Sequence, residues 1–537
     1  MKKTPCDKII KHPCIRPLAY DGFTVQALAV RAGRIVGVGT YRELRDMVGP
    51  NTEIIEPEGE ILQPAFHDGH IHLNFLKSEH HVDLSKVQTA GQLQDKLSDL
   101  SPSESWLIGA QIAPRIAEKI FKDSPNLLYE ACGTRLVLIR TLDGHGGWLS
   151  NEGAQWLQSH AQRPLTTLDI PSKGIVHITE GDYYQALEQI PGALNRSSLE
   201  GLEGRVASVI SAGVSCFHEA MIDEIDVPLW ESFFDRYPVE RTGRMHGMLH
   251  AKAGDWDWIR KRKPVFAQYE GRLSLGCLKV FLDGSLGSGT AWMHGERPSH
   301  VIKEDEFLEV ARFAASENFQ LAVHAIGHRA VQTALDVFET VRPIVPTPYQ
   351  SFTPPWRIEH AEFVTPEDIK RAARIGVIFS VQPLHLPMDT EILLNSHRDF
   401  VNIAFPWTDF IDAGVALVMG SDAPTTPCDP IKNLAVACGG MRRALLGIPE
   451  APLALHALSR DVALHSHTVG GSIASMGKLG SATLLPGQPA DFVILDGDPL
   501  RVAVEELEDI HPLETWIQGR RSSNQPEGFK HARTASC

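Results

Sequence analysis

Three histidines and an aspartate crowd into the short apolar run PAFHDGHIHLNF at residues 64–75. Alternate residues of a β-strand point to the same side, so His70 and His72 would direct two imidazole rings into one space. Neutral imidazole is a common ligand of Zn²⁺ and similar ions. His67 is one residue out of phase, and we leave it out of the predicted site. The motif alone is equally compatible with two packed, hydrogen-bonded histidines.

Four later β-like runs end in further potential ligands. These are Lys279 in LKVFLDG, His324 in LAVHAIG, His360 in RIEHAEF and Asp422 in VMGSDAP, each followed by a glycine or a loop signal. Independent packing would not place imidazole, amine and carboxylate groups so regularly at strand ends. Imidazoles with a carboxylate suit Zn²⁺ or a similar divalent ion, so the pattern predicts a metal site.

These candidate ligands need a scaffold that brings distant strand ends together. Eight β-like runs alternate with helical patterns such as EDEFLEVARFAASEN and RAVQTALDVFETV. The alternation favours parallel strands with helical crossovers, and it predicts an α/β protein with a (β/α)₈ TIM-like barrel over residues 64–467. In such barrels the active site lies at the C-terminal ends of the strands. The eight runs are QPAFHDGHI, GVSCFHEA, GRMHGML, GCLKVFLDG, LAVHAIGH, WRIEHAEF, GVIFSVQP and VALVMGSDAP.

The remaining β-like runs predict two additions to the barrel. A ninth run, RLVLIRTL, falls in a long stretch rich in charge and proline, and we assign it to a cap domain inserted at residues 85–199. The short strand-like runs at the two ends of the chain cannot each form a stable sheet alone. They predict a small composite β-sandwich of residues 1–63 and 468–522. Residues 523–537 have the composition of a disordered tail.

The overall composition narrows the class of partner. The chain of 537 residues is 43% hydrophobic, and its 51 basic and 66 acidic residues give a formal net charge of −15. This balance argues against nucleic acid or an anionic membrane as a partner. No apolar run approaches the roughly 20 residues of a transmembrane helix, and the N-terminus lacks the apolar stretch of a signal peptide, so we expect a cytoplasmic protein. The eight cysteines form no CxxC pair, which disfavours a zinc ribbon or a disulfide framework.

Seven phrases of the sequence together resemble the amidohydrolase superfamily of metal-dependent hydrolases. More narrowly, they are similar to the amidohydrolase family 3 branch, which includes N-substituted formamide deformylases. The phrases follow the family order over nearly the whole chain: PAFHDGHIHL, LDGHGGW, LKVFLDGSLGSGTA, VHAIGHRAV, RIEHAEF, GSDAPTTPCDP and LLPGQPADFVIL. The resemblance implies a small-molecule amide as the substrate but does not identify it. Similar enzymes are often dimers, so the resemblance also points to a homodimer.

The resemblance further implies two divalent metal ions, with Zn²⁺ as the leading candidate. His70, His72 and Asp422 would hold the first ion, and His324 and His360 the second. Lys279 would bridge the two ions, but a free ammonium group cannot ligate a cation. Lys279 would therefore contribute only as a carbamate, formed by reaction of its amine with CO₂. The alternative for Lys279 is a salt bridge with the nearby Asp283, in which case the site holds a single metal ion.

The same resemblance implies hydrolysis of a C–N bond in a linear or cyclic amide. A hydroxide that bridges the metal ions would be the nucleophile, because a bound zinc ion lowers the pKa of water to about 7. Asp422 would act as the general base that accepts the proton and as the general acid that delivers it to the leaving amine. The metal ions would also polarise the scissile carbonyl group.

Three further residues are candidates for substrate binding. His145 and Trp148 lie in RTLDGHGGW within the predicted cap, and in similar enzymes this segment faces the active site. An imidazole and an indole could hold an amide carbonyl and an apolar substituent, although a turn histidine with a packed tryptophan is an equally good interpretation. His385 in VQPLHLP follows the seventh barrel run and could reach the pocket.

Two other functions compete with amide hydrolysis. Deaminases of the same superfamily commonly use one metal ion, lack the fourth-strand lysine and carry a glutamate shortly after the fifth-strand histidine. HAIGH lacks that glutamate and LKVFLDG has the lysine, which places a mononuclear deaminase second. A non-catalytic binding or regulatory protein on the same barrel would be expected to have lost ligands, whereas this sequence keeps all six.

Overall fold

A computed structural model of the chain describes residues 4–18, 22–75, 81–98, 105–161, 165, 174–194, 198–295, 298, 301–341, 354–439, 456–480 and 482–522. The strands are β1 (Lys8–Ile15), β2 (Val25–Arg31), β3 (Arg34–Gly39), β4 (Glu53–Ile55), β5 (Ile61–Pro64), β6 (Phe66–Ile71), β7 (Val82–Asp83), β8 (Trp106–Ile112), β9 (Leu136–Thr141), β10 (Gly146–Ser150), β11 (Ile175–Thr179), β12 (Val214–Ile222), β13 (Arg244–His250), β14 (Val265–Ala267), β15 (Leu273–Phe281), β16 (Gln320–Ala325), β17 (Arg357–His360), β18 (Ile378–Val381), β19 (Ala416–Met419), β20 (Phe492–Leu495), β21 (Pro512–Ile517) and β22 (Arg520–Arg521).

The α-helices are α1 (Tyr41–Leu44), α2 (Ala90–Ser98), α3 (Pro114–Asp123), α4 (Leu127–Cys132), α5 (Asn151–His160), α6 (Glu180–Gln189), α7 (Leu199–Ser211), α8 (Val227–Arg236), α9 (Val239–Thr242), α10 (Asp257–Arg260), α11 (Gln268–Gly271), α12 (Glu304–Glu317), α13 (His328–Val341), α14 (Pro366–Ile375), α15 (His385–Ser396), α16 (Trp407–Asp412), α17 (Pro430–Ala437), α18 (Arg460–Ser466) and α19 (Val469–Ala474). Short 3₁₀ helices span Arg45–Met47, Leu73–Phe75, Glu224–Asp226, Arg398–Ile403 and Val504–Asp509.

Eight parallel strands form the barrel. Their order around it is β6, β12, β13, β15, β16, β17, β18 and β19. A parallel bridge between Ile71 and Ala423 joins the last strand to the first. Each of the eight runs that the sequence analysis assigned to the barrel contains one of these strands. The predicted TIM-like barrel is therefore confirmed.

The barrel strands are buried along most of their length because helices cover their outer faces. β12 is buried at all nine of its residues and β16 at all six. On α13, the buried residues Ala330, Ala334 and Phe338 repeat at helical spacing and form the face that packs inward. α14 begins after the N-cap residue Thr365 and ends at Gly376, whose φ of 72° is readily adopted by glycine.

The strands from the two chain ends lie in one eight-stranded sheet, in the order β22, β21, β20, β5, β1, β2 and β3, with β4 on β1. β5 and β20 pair in antiparallel fashion, with Leu62 opposite Ile494. A buried ion pair between Arg16 and Asp498 also joins the two ends. α19 packs against β6 and β19 of the barrel, although it follows the predicted boundary at residue 467. The exact domain boundaries remain predictions.

A second sheet is inserted between barrel strands β6 and β12, in the order β11, β10, β9, β8 and β7. The run RLVLIRTL supplies β9, so this strand lies outside the barrel. Two hydrogen bonds connect this cap to the loop after β15. Ser285 Oγ donates to Asp143 Oδ2 at 2.8 Å, and Thr290 Oγ1 donates to Glu180 Oε1 at 2.6 Å.

Two other expectations concern transmembrane helices and the C-terminal tail. Among the helices of the described residues, none has both the length and the apolar character required for a transmembrane span. The predicted disordered tail, residues 523–537, lies outside the described residues.

Candidate metal centre

Three of the predicted ligands meet where the first and last barrel strands close. His70 Nε2 lies 3.3 Å from Asp422 Oδ1, and His72 Nε2 lies 3.2 Å from the same oxygen. The two Nε2 atoms are 3.3 Å apart. Two imidazoles and a carboxylate at these separations form a group that could hold one divalent ion.

The backbone between β6 and β19 holds these side chains together. The N–H of Asp422 donates to the carbonyl oxygen of His70 at 2.7 Å, and the N–H of His72 donates to that of Ala423 at 2.8 Å. Gly420 permits this close approach, because a Cβ atom at this position would lie 2.4 Å from the His70 nitrogen. The site therefore depends on closure of the barrel.

Two further predicted ligands lie beside this group at the ends of β16 and β17. The rings of His324 and His360 have centroids 4.4 Å apart, and the His360 ring is 4.8 Å from that of His70. His360 Nδ1 has no hydrogen-bond partner among the described residues. His324 Nε2 lies 3.1 Å from the carbonyl oxygen of Gly284, so a proton donated there leaves the lone pair on Nδ1.

The protonation states suit metal coordination. Burial lowers the pKa of His72 to about 4 and holds the pKa values of His324 and His360 well below the usual range. Neutral imidazole is the form that binds metal ions. Burial alone would raise the pKa of Asp422, but its contacts with the imidazoles of His385, His70 and His72 hold it well below its ordinary value. The neutral imidazoles of His72, His324 and His360 therefore lie beside an ionised carboxylate.

Lys279 lies fully buried beside these groups. Its Nζ makes no hydrogen bond to any described residue and lies 4.8 Å from the centroid of the Phe281 ring. Burial lowers the pKa of Lys279 to about 8, although Glu359 and Asp422 oppose the shift. Asp283 does not pair with Lys279; its carboxylate instead accepts hydrogen bonds from the N–H groups of residues 292, 326 and 327. An unpaired, partly neutral amine at this position fits a lysine that reacts with CO₂.

His385 lies against Asp422 rather than in the substrate pocket. Its Nε2 is 3.3 Å from Asp422 Oδ2, and its Nδ1 is 3.0 Å from Glu362 Oε1. Burial alone would lower the pKa of His385, but hydrogen bonds with Asp422 and Glu362 raise it to about 10. His385 is therefore an imidazolium that stabilises the Asp422 carboxylate. Ligand atoms of His360, Glu362 and His385 also lie within 4.8 Å of one another, but an imidazolium at His385 disfavours a cation in this group.

A pocket lies between the barrel and the cap, and it encloses about 590 Å³, including the part open to solvent. His72, His324, His360 and Asp422 line its barrel side. Met221 and Phe281 add apolar surface, and Tyr184 and His145 contribute from the cap. Pockets that combine apolar surface with a few polar groups are typical of small-molecule sites.

His145 extends from the cap toward the metal centre, with its ring centroid 5.4 Å from that of His324. Its Nδ1 lies 3.2 Å from Glu180 Oε2. Burial alone would lower the pKa of His145, but the charge and the hydrogen bond of Glu180 raise it to about 9. The predicted residue therefore lines the pocket as a cation.

Trp148 does not line the pocket, in contrast to the prediction for substrate binding. Its indole stacks on His177 of the neighbouring strand β11, with ring centroids 4.6 Å apart, and packs against Phe121 of α3. The side chain is 4% exposed and belongs to the core of the cap. The packed-tryptophan alternative is the one that the structure shows, because α3 covers the face of β10 on which Trp148 lies.

A separate group of potential ligands consists of His67, Cys216 and His218, all buried in the barrel. Arg357 Nη1 donates to His218 Nδ1 at 2.9 Å and so occupies one of its ligand atoms. Burial raises the pKa of the Cys216 thiol to about 12, and burial together with Arg244 lowers the pKa of His67 to about 3. The positive charges of Arg357 and Arg244 beside this group disfavour a cation there.

Sequence reasoning missed the carboxylates that surround the centre. Glu359 contacts His70, Glu362 contacts His385 and Glu180 contacts His145. Glu359 and Glu362 lie on either side of the predicted ligand His360 in RIEHAEF, and Glu359 is a charged residue within a buried strand, which was an available signal. No comparable signal marked Glu180, since it lies in the cap and reaches the site only through the tertiary fold.

Comparison with known proteins agrees with this geometry. A model of the amidohydrolase family matches residues 53–522. The chain is 24% identical to the Bacillus subtilis protein YtcJ, which carries an amidohydrolase name, over 94% of this chain and 97% of that one. It is also 24% identical to an N-substituted formamide deformylase of Arthrobacter pascens, over 96% and 97% of the two chains.

Solved structures show the same fold. An uncharacterised metal-dependent hydrolase from Pyrococcus horikoshii superposes with a TM-score of 0.71 at 22% identity, over 93% of this chain and 99% of that chain. The match of the family model extends over most of the sequence. The chain belongs to the amidohydrolase family.

Proposed function

We propose that this protein is a metal-dependent hydrolase that cleaves the C–N bond of a small linear or cyclic amide. The observation that carries the proposal is the convergence of His70, His72, His324, His360 and Asp422 around the unpaired amine of Lys279. The family membership and the name of the Arthrobacter relative support an amide as the bond that is cleaved.

The donor set fits two divalent ions, with Zn²⁺ as the leading candidate. His70, His72 and Asp422 would hold one, His324 and His360 the other, and a carbamate on Lys279 would bridge them. In carbamate formation the neutral amine of Lys279 attacks CO₂, an N–C bond forms, and one proton leaves. Divalent ions bound here would supply Lewis acidity that lowers the pKa of water and polarises a carbonyl group.

Asp422 has the position of the general base and general acid. It lines the pocket and is ionised, so it can accept a proton from the attacking water and return that proton to the leaving amine. The contact with His385 stabilises the ionised form of Asp422, which is present before the first transfer and restored by the second. His385 is therefore proposed to act through Asp422 rather than on the substrate.

His145 is proposed to bind the substrate carbonyl from the cap side of the pocket. As an imidazolium held by Glu180, it can donate a hydrogen bond to an oxygen that becomes negatively charged. Met221 and Phe281 offer the apolar surface for a substituent on the acyl or amine part. A homodimer, a cytoplasmic location and the exclusion of nucleic acid and membrane partners remain predictions from the sequence.

The test combines metal content with amide turnover for the wild type, Lys279→Ala and the control Lys263→Ala. Lys263 is exposed and pairs with Glu317 on the outside of the barrel. We expect about two ions per chain in the wild type and the control, and a sharp fall in both metal content and turnover in Lys279→Ala. Added short carboxylic acids should restore part of the turnover, because they can replace the carbamate.

Other outcomes would change the assignment. One ion per chain in both the wild type and Lys279→Ala would remove the bridging role of Lys279 and favour the mononuclear deaminase. A full complement of metal without turnover of amides or of amino-substituted heterocycles would favour a non-catalytic binding protein.

A further inference from the structure

Glu359 is a buried carboxylate outside the proposed ligand sets, and it contacts the proposed metal ligand His70. Glu359 Oε2 lies 2.6 Å from His70 Nδ1, and both side chains are 0% exposed. Glu359 immediately precedes His360 in β17, so a regular strand would direct the two side chains to opposite faces. His360 has a φ of 74°, which breaks this alternation at the strand end. As a result, both residues contact His70.

The carboxylate is itself held in place by an arginine. Arg357 Nε lies 2.5 Å from Glu359 Oε1, and its Nη2 lies 3.0 Å from Glu359 Oε2, which makes a bidentate pair. The same guanidinium donates to the Gly69 carbonyl oxygen at 2.7 Å and to His218 Nδ1 at 2.9 Å. The carboxylate is therefore fixed in position by the guanidinium.

This contact decides which nitrogen of His70 can bind an ion. A carboxylate can only accept a hydrogen bond, so His70 carries a proton on Nδ1, and Nε2 is the atom with which it can bind an ion. Nε2 is the atom that lies 3.3 Å from Asp422 Oδ1 and 3.3 Å from His72 Nε2. The proton acceptor for His324 is instead a neutral carbonyl oxygen, that of Gly284. The Asp283 carboxyl oxygen Oδ1 also lies near His324 Nε2, at 3.6 Å, farther than Glu359 Oε2 lies from His70 Nδ1.

We propose that Glu359, held by Arg357, is a positioning residue that fixes the tautomer and orientation of His70 and thereby strengthens binding of the first divalent ion. The inference rests on the metal centre of the proposed function and extends it to two residues outside the ligand set. A carboxylate behind a ligating imidazole increases its basicity, and loss of such a contact typically weakens metal binding by about 10- to 100-fold.

The test measures Zn²⁺ affinity of the metal-free protein by competition with a fluorescent chelator. We expect Glu359→Gln to bind its tighter ion about 10- to 100-fold more weakly than the wild type. Asp498→Asn is the matched control, because Asp498 forms a similarly buried bidentate pair with Arg16 in the sheet of the chain ends. Both variants should melt at a lower temperature, but only Glu359→Gln should lose affinity for zinc.

A second variant covers the case in which Glu359→Gln does not fold. Replacing one partner leaves a buried charge unpaired, whereas replacing both by residues of similar volume is tolerated far better. Arg357→Met combined with Glu359→Gln should therefore fold and still bind zinc more weakly. Wild-type affinity in a folded variant of either kind would overturn the inference.

The outcome also separates this inference from the proposed function. If the wild type binds zinc with the expected difference between variants but turns over no amide, the role of Glu359 stands and the proposed reaction falls. If the wild type binds no divalent ion, the metal centre and the inference are both overturned.

Discussion

Two groups of buried histidines lie in the same barrel, and only one has the charges that a cation requires. The upper group, His70 and His72 with Asp422, includes an ionised carboxylate. The lower group, His67 and His218 with Cys216, contains a thiol whose pKa is raised to about 12 by burial. Arg357 and Arg244 also place positive charge beside the lower group, which disfavours a divalent ion.

The difference shows that residue type and proximity do not suffice to make a metal site. In both groups the potential ligand atoms lie within 4.8 Å of one another, and only His72 among the six residues is partly exposed. In the upper group, the cationic residues nearby have their own carboxylates, Glu180 for His145 and Glu362 for His385. In the lower group, a guanidinium donates directly to a potential ligand atom of His218. The neighbouring charges therefore distinguish a site from a packed cluster.

The largest effect is expected at Asp422, the residue that makes the two groups differ. Asp422→Asn keeps the shape of the side chain but removes the charge and the proton acceptor. Turnover of an amide should fall by about 10²- to 10⁴-fold, and the metal content should fall with it. The control is Asp412→Asn, at the exposed end of α16. A variant with unchanged turnover would contradict the assignment of Asp422 as the base.

An intermediate effect, on KM, is expected from the charge of His145 on the cap side of the pocket. Glu180 raises the pKa of His145 to about 9, so the wild-type imidazolium is present below this pH and is lost as the pH rises through it. In Glu180→Gln the pKa of His145 should fall, because the negative charge of Glu180 no longer opposes the effect of burial. KM for an amide should therefore rise about fivefold above pH 9 in the wild type. This factor corresponds to the free-energy difference between a hydrogen bond from a charged imidazolium and one from a neutral imidazole.

In Glu180→Gln the same rise in KM should occur at lower pH. The measurement is KM as a function of pH, with Glu188→Gln on the outer part of α6 as the control. Identical pH profiles for the wild type and Glu180→Gln would show that the charge of His145 does not contribute to substrate binding.

The smallest effect is expected in the lower group. Cys216→Ala should leave the metal content unchanged, because no ion is expected beside Arg244 and Arg357. Loss of the buried sulfur should cost about 1 kcal/mol of unfolding free energy, measured by urea denaturation. A loss of one ion per chain in Cys216→Ala would contradict this comparison and would identify the lower group as a metal site.

The sequence predicted the eight barrel strands because parallel strands covered by helices carry continuous apolar runs that end in recognisable loops. It also predicted the six candidate ligands, since side chains at the C-terminal ends of such strands converge. The placement of these six residues follows from the barrel alone. Their ligand and catalytic roles remain predictions.

The surroundings of the site depend on contacts that local sequence does not encode. Trp148 has the same local pattern whether it faces the pocket or the cap core, and the position of α3 decides between the two. Glu359 contacts His70 only because His360 departs from the extended conformation at the strand end. Glu180 reaches His145 through the fold of the inserted sheet. Contacts between residues far apart in the sequence become visible only in the three-dimensional structure.

The closure of the barrel between β6 and β19 has a consequence for biosynthesis. Asp68 accepts a hydrogen bond from the N–H of Ser421, 353 residues further along the chain, and the first ligand group spans the same junction. A nascent chain therefore cannot assemble this group until the eighth strand has left the ribosome. An ion taken up there would bind the closed barrel and not its open precursors, so cellular metal supply would influence the yield of folded protein as well as its activity.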